Sequence, residues 1–157
     1  MYTIKGFHTN VNRSNAKKQF NRFCTIEHET PNIIGSEVGT DLYHLMSTDS
    51  STVICSFRGQ RDLEAFGEAM LTFANKQAEA DAGQWPEALT RAFRSKVWKW
   101  CKSASYRQRK IKRSSTPYFQ ISFKGAGNDG LAFSDLKSLS NFATALEYMI
   151  ADITRVK

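Results

Sequence analysis

Alternating apolar and polar positions predict β-strands in several parts of the chain. In the clearest example Phe119, Ile121 and Phe123 share one face, and the residues between them are polar. Because successive side chains of a strand point to opposite faces, this period of two is typical of a half-buried strand. By the same pattern we predict strands at residues 2–7, 20–29, 42–46, 52–58, 118–124 and 131–133.

Apolar spacings of three and four predict three helices. The first runs from residue 61 to about residue 82, and the last follows a capping residue at Ser134 or Asp135 and continues to about residue 153. The middle helix begins at Pro86, a residue suited to a first helical turn. Its apolar stripe comprises Leu89, Phe93, Val97, Trp100, Cys101 and Ala104.

These elements together predict an α+β fold, in which an antiparallel sheet of about five or six strands packs against three main helices. The length of 157 residues fits a single domain over residues 1–157. Within it we expect an N-terminal strand and polar arm at residues 1–18, and a basic helix with an extension at residues 86–113. Residues 52–59 and 118–125 both end in Ser-Phe-basic-Gly before a helix. Two diverged strand–helix halves and coincidence both remain open as explanations.

The charge of the chain is concentrated in one segment. Residues from Arg91 to Arg113 include ten basic side chains and no acidic one, whereas the whole chain has a formal charge of +7. All other residues together therefore carry a net negative charge. Trp98 and Trp100 lie inside the basic segment. Clustered Lys and Arg with interleaved aromatic residues are typical of surfaces that bind phosphates and stack bases.

Drawn as a helix, the basic segment separates into two stripes. Trp100 falls on the apolar stripe, whereas Trp98 has Arg94 and Lys102 as its neighbours one turn away. Core packing explains a Trp among cations poorly, but base stacking or a protein partner explains it well. The residues predicted to bind nucleic acid or a partner are Arg91, Arg94, Trp98, Lys99, Lys102, Arg107, Arg109, Lys110, Lys112 and Arg113.

Three structural explanations compete with a binding role for this segment. Another element could cover Trp98, the charges could simply be solvated, or the preceding acidic helix could pair with the basic one. That helix and its end carry Glu64, Glu68, Glu79 and Asp81. Four carboxylates leave a surplus of positive charge. The polar face of the strand at residues 118–124 is predicted to extend the surface.

The glycine-rich segment Gly125–Gly130 matches the G-x-G-x-x-G pattern of dinucleotide-binding turns. Such a turn needs a helix that opens within the motif and a further parallel strand. Only one more helix follows here, and Asn128-Asp129-Gly130 is ordinary turn chemistry. We therefore predict a hairpin loop and no cofactor.

Histidine and cysteine residues give no catalytic or metal-binding signature. The three histidines lack the spacing of four that places two ligands on one helix face. The three cysteines are far apart and form no Cys-x-x-Cys pair. We predict buried free thiols and no metal. A small enzyme that uses Cys55 with a histidine is the least favoured hypothesis.

The sequence predicts a small non-enzymatic accessory protein that binds nucleic acid through a basic, Trp-containing helix. Single-stranded or duplex DNA or RNA all remain open. The alternative is an inhibitor or adaptor, as found among phage and mobile-element proteins, that binds a larger protein or nucleoprotein complex through the same surface. No apolar run is long enough for a membrane span. We expect a cytoplasmic location, or a nuclear one in a eukaryotic host because residues 107–113 are basic.

Overall fold

The computed structural model describes residues 2–4, 7, 10–30, 33–34, 37–38, 41–80, 85–111, 114–125 and 130–154. Within these residues the chain forms nine strands and four helices. In chain order they are β1 (Tyr2–Ile4), α1 (Ala16–Phe20), β2 (Cys24–Glu29), β3 (Ile33–Ile34), β4 (Glu37–Val38), β5 (Leu42–Ser47), β6 (Val53–Arg58), α2 (Gly59–Glu79), α3 (Glu87–Val97), β7 (Cys101–Ile111), β8 (Ser114–Phe123), β9 (Gly130–Phe133) and α4 (Leu136–Thr154).

The strands form two main sheets. One has four strands in the order β1-β9-β8-β7, and the other has three in the order β2-β5-β6, with β3 and β4 forming a separate pair. All pairs are antiparallel except β1 with β9. The predicted α+β class is therefore confirmed, but the expected single sheet is divided into two.

Aromatic residues on the helices join the two sheets into one core. The ring centroid of Phe66 on α2 lies 5.0 Å from that of Phe57 in the three-stranded sheet and 5.9 Å from that of Phe123 in the four-stranded sheet. On α4, the ring of Phe142 lies 5.4 Å from Phe133 of β9. Rings of this size bury a large apolar area, so these contacts hold the helices on one face of both sheets.

The elements with the most regular patterns form as expected. Phe119, Ile121 and Phe123 are fully buried on one face of β8. Strands β8 and β9 pair antiparallel, which confirms a hairpin at the glycine-rich segment, although residues 126–129 lie outside the described part. At the start of α4, the backbone N–H of Ser138 donates to Asp135 Oδ1 at 2.7 Å, as expected for a capping residue.

The predicted polar arm at residues 1–18 ends in a helix that packs on the body of the protein. The ring centroid of Phe20 on α1 lies 5.3 Å from that of Phe142 on α4. The side-chain amide of Asn141 donates to the carbonyl oxygen of Phe7 at 2.7 Å. These contacts fix the N-terminal segment against α4.

Within the predicted basic helix and extension of residues 86–113, the helical stripe expected to continue to Ala104 is wrong beyond Val97. Helix α3 ends there, and residues 101–111 form β7, which pairs with β8 along its whole length. The register shifts between Cys101 and Ser103, so Cys101 and Ala104 are both buried although they lie three positions apart. A bulge of this kind inserts one residue into the strand alternation. The spacing of three between these two buried residues is also typical of a helix face, and for this reason the sequence pattern predicted a helix here.

The two Ser-Phe-basic-Gly segments also resemble each other in the backbone conformation of their glycines. Gly59 has φ of 79° and Gly125 has φ of 77°, a region that glycine adopts without steric cost. Helix α2 begins directly at Gly59, whereas β9 lies between Gly125 and α4. The similarity therefore covers the end of each strand and the turn, but not the order of the elements that follow.

Candidate nucleic-acid interface

Trp98 lies in the turn between α3 and β7 and is 63% exposed. The side-chain nitrogen of Lys124 lies 5.2 Å from its ring centroid, within the range of a cation–π interaction. Trp100 is buried instead, with ring centroids 5.5 Å from Phe57 and 5.9 Å from Phe66. The two tryptophans therefore differ in exposure as expected, but because of a turn and not a helix stripe.

Three cations on β7 and directly after β8 are exposed to solvent. Lys102 and Lys124 are exposed and form no ion pair with any carboxylate in the described residues. Arg107 is also exposed, and its Nε donates to Ser105 Oγ at 3.2 Å. Lys102 and Arg107 therefore carry positive charge on β7, and Lys124 carries it directly after the end of β8.

Arg94 has a different environment from Lys102, although the predicted helix placed both residues on the same stripe as Trp98. Its guanidinium donates to the carbonyl oxygen of Ala104 at 3.0 Å and to Glu87 Oε1 at 2.7 Å. Both contacts are internal, and the first joins α3 to β7. Arg94 therefore acts as a structural link, whereas Arg91 is exposed on the same helix.

The acidic helix α2 neutralises little of the basic segment. Lys99 Nζ lies 3.5 Å from Asp62 Oδ1, and this is the pairing between the two segments found in the described residues. The Lys99 side chain is 55% exposed and that of Asp62 is 25% exposed. Exposed pairs of this kind contribute at most about 1 kcal/mol because solvent screens them.

Two other predicted residues lie on β7 within the β7–β8 hairpin. Arg109 and Lys110 are positions of β7 opposite Thr116 and Ser115 in the backbone register. Lys112 and Arg113 lie outside the described residues. Strand β9 pairs with only residues 119–122 of β8, so the hairpin continues beyond the sheet as a two-stranded ribbon.

A polar strand face connects Trp98 to the base of this ribbon. Helices α2 and α3 pack on the opposite face, through contacts such as Phe73 and Phe93 with Phe119. In register order the partly exposed pairs on the polar face are Ser103 with Ser122, Ser105 with Gln120, and Arg107 with Tyr118. Tyr118 and Ser122, at the two ends of this face, are four positions apart on β8, which corresponds to about 13 Å of strand.

A cleft of about 240 Å³ lies between β6 and the turn that carries Trp98. Its lining consists of Val53, Ile54, Cys55, Ser56, Lys99, Trp100, Lys124 and Gly125. The cleft marks the place where the two sheets separate. Val53 at its rim is 41% exposed, because a register shift in the β5–β6 pair interrupts the predicted alternation.

Sequence reasoning missed a hydrogen-bonded chain on the outer face of the three-stranded sheet. His44 Nδ1 lies 2.7 Å from Ser56 Oγ, and its Nε2 lies 2.9 Å from Glu29 Oε2. Serine, histidine and a carboxylate in this order occur in hydrolases. Here the Glu29 side chain is 55% exposed, so solvent weakens its effect on the imidazole. His44 and Ser56 meet because they lie directly opposite each other in the register of β5 and β6. The sequence alone does not reveal that register.

The three cysteines are free and buried, as predicted. Burial raises the pKa of the Cys55 thiol to about 12, and it raises the pKa of Cys24 and Cys101 to about 12 as well. A thiol with so high a pKa is a poor nucleophile at neutral pH. His44 contacts Ser56 and not Cys55. These observations weigh against the hypothesis of a Cys55–histidine enzyme.

Comparison with protein-family models, with curated proteins and with solved structures found no match. Among the described residues, no group of three or more His, Cys, Asp or Glu side chains is arranged to hold a metal ion. No helix in the described ranges is long and apolar enough to cross a membrane. The fold and the surface geometry are therefore the basis for assigning a function.

Proposed function

We propose that this protein is a small accessory protein that binds nucleic acid through the Trp98 surface. We define the Trp98 surface as Trp98, Lys102, Arg107 and Lys124, with the polar strand face between them. The observation that carries the proposal is an indole that is 63% exposed, with the Lys124 ammonium 5.2 Å from its ring centroid and Lys102, exposed and without an ion pair in the described residues, at the start of the adjoining strand β7. Each component has a role: the ring stacks a base, and the cations contact phosphates.

The chemistry of the surface favours binding that tolerates many sequences. Stacking on an aromatic ring contributes about 1–3 kcal/mol per base and does not depend strongly on base identity. Contacts from Lys and Arg to phosphates fix the position of the strand without reading its sequence. The strand face between the two ends carries serines and Gln120, which offer hydrogen bonds but no charge. An accessory protein that covers or guides nucleic acid fits these properties best.

A protein partner is the second candidate, as an inhibitor or adaptor would require. Among the described residues, the exposed large hydrophobic side chains are Trp98 and Val53, and Val53 lines the same cleft as Lys124. Exposed Trp is common at the energetic centres of protein interfaces. The positive charge beside it favours nucleic acid or an acidic partner.

Fluorescence anisotropy with labelled oligonucleotides at low salt tests the proposal. We expect binding by the wild type and a clear loss in Lys102→Glu. The matched control is Lys18→Glu, because Lys18 is exposed on α1, which packs on α4. Absence of binding at low salt, or equal losses in the two variants, would refute the proposal. Capture of a protein partner that survives nuclease treatment, without oligonucleotide binding, would favour the adaptor.

A further inference from the structure

We infer that the Trp98 surface binds single-stranded nucleic acid, with the base of an unpaired nucleotide on the Trp98 ring and its phosphate in the cleft lined by Lys99 and Lys124. The inference rests on the proposed function and names its substrate class. Lys124 is the residue that connects the two parts, because it lines the cleft and lies 5.2 Å from the Trp98 ring centroid.

The cleft has the size and lining of a site for one small anion. Its volume of about 240 Å³ is below the range of roughly 300–1,000 Å³ that is usual for sites of drug-sized ligands. Two lysines, Lys99 and Lys124, line it, whereas the hydroxyl of Ser56 in the same lining is already engaged by His44 Nδ1 at 2.7 Å. The two ammonium groups are suitable partners for phosphate oxygens. A single phosphate or a sugar phosphate matches this lining better than a whole nucleotide.

Lys99 is available to a phosphate in spite of its contact with Asp62. The two groups lie 3.5 Å apart, and the Lys99 side chain is more than half exposed. An ion pair that solvent already screens competes weakly with the singly charged phosphodiester of a nucleic-acid strand. Asp62 is therefore an internal competitor for the site. Removing its charge is expected to strengthen phosphate binding.

The position of Trp98 favours a single strand over a duplex. The ring lies exposed in a turn, and stacking on it requires the flat side of a base. In a duplex that side is covered by the neighbouring base pairs, and exposing it requires unpairing. A duplex would therefore meet this surface through its phosphates alone. A single strand offers both the base and the phosphate.

The test compares a labelled oligothymidylate of about ten nucleotides, within the usual range of single-strand site sizes, with a duplex of equal length. We expect the single strand to bind at least about fivefold more tightly. Trp98→Ala should weaken single-strand binding by at least about fivefold and leave duplex binding unchanged. Because Trp98 is mostly exposed, this variant should fold, which a thermal melt verifies.

Paired variants test the cleft. Asp62→Asn should tighten single-strand binding roughly two- to fivefold, as expected for the loss of a screened competitor. Its control is Glu68→Gln, an equal charge change on an exposed position of the same helix. Lys99→Gln should weaken binding more than Lys96→Gln, a control on an exposed position of α3 outside the cleft lining.

The outcomes separate this inference from the proposed function. Equal affinity for single strand and duplex, or an equal loss of both in Trp98→Ala, would overturn the inference and leave the proposed function standing. Equal effects of each variant and its control would overturn the phosphate site. Failure of both probes to bind at low salt, or binding of a protein alone, would overturn the inference and the proposed function together.

Discussion

Lys102 and Arg94 should contribute differently to the salt dependence of nucleic-acid binding. On single strands each phosphate contact adds about −0.7 to the slope of log affinity against log salt. Lys102 is exposed and unpaired among the described residues, so Lys102→Gln should make the slope shallower by about 0.7. Between about 50 and 200 mM salt, this change means that the variant loses about 2.6-fold less affinity than the wild type.

Arg94→Gln removes the same charge but should leave the slope unchanged. The guanidinium of Arg94 is held by Ala104 O and Glu87 Oε1, so it is not offered to a phosphate. Anisotropy titrations of a single-stranded oligonucleotide at four or more salt concentrations measure both slopes. Equal changes in the two variants would contradict this reasoning. Such a result would show that binding depends on the total positive charge of the basic segment and not on contacts from particular side chains.

Three further outcomes concern stability and the buried groups. Arg94→Gln should lower the free energy of unfolding by about 1–2 kcal/mol in a denaturant titration, because it leaves Ala104 O and Glu87 without their donor. Asp135→Ala should cost about 1 kcal/mol through the lost cap of α4, and the exposed Lys137→Ala should cost less. The buried thiols have folded pKa values of about 12 against 9.0 in the unfolded chain, so they support stability below pH 9 and stability should fall as pH rises from 9 towards 12. A stability that rises over that interval would contradict the burial of the thiols.

Local patterns were sufficient to predict the strands and helices whose burial follows one period. Strand β8 alternates without interruption at residues 118–123, and α4 carries a continuous apolar stripe, so both formed as expected. Strand β7 was mistaken for a helix because its bulge places Cys101 and Ala104 three positions apart. Only pairing with β8, which is distant information, distinguishes the two interpretations.

The candidate site was predictable in part for the same reason. The exposure of Trp98 followed from its cationic neighbours in the sequence, although the helix assumed there does not extend so far. Lys124 reaches Trp98 because β8 runs back along β7, and Ser56 reaches His44 because β6 runs back along β5. Contacts between neighbouring strands depend on register, and the sequence alone does not state the register.

Tryptophan fluorescence tests the central claim, that Trp98 stacks a base, most directly. Trp85 packs between Tyr106 and Phe119, with ring centroids 5.6 Å and 5.2 Å away, and Trp100 is buried, so Trp98 is the indole exposed to a ligand. Adding a single-stranded oligonucleotide should quench the wild-type emission. Trp98→Phe should still bind, because Phe also stacks, but without quenching. Undiminished quenching in Trp98→Phe, or wild-type binding without any change in emission, would contradict the account.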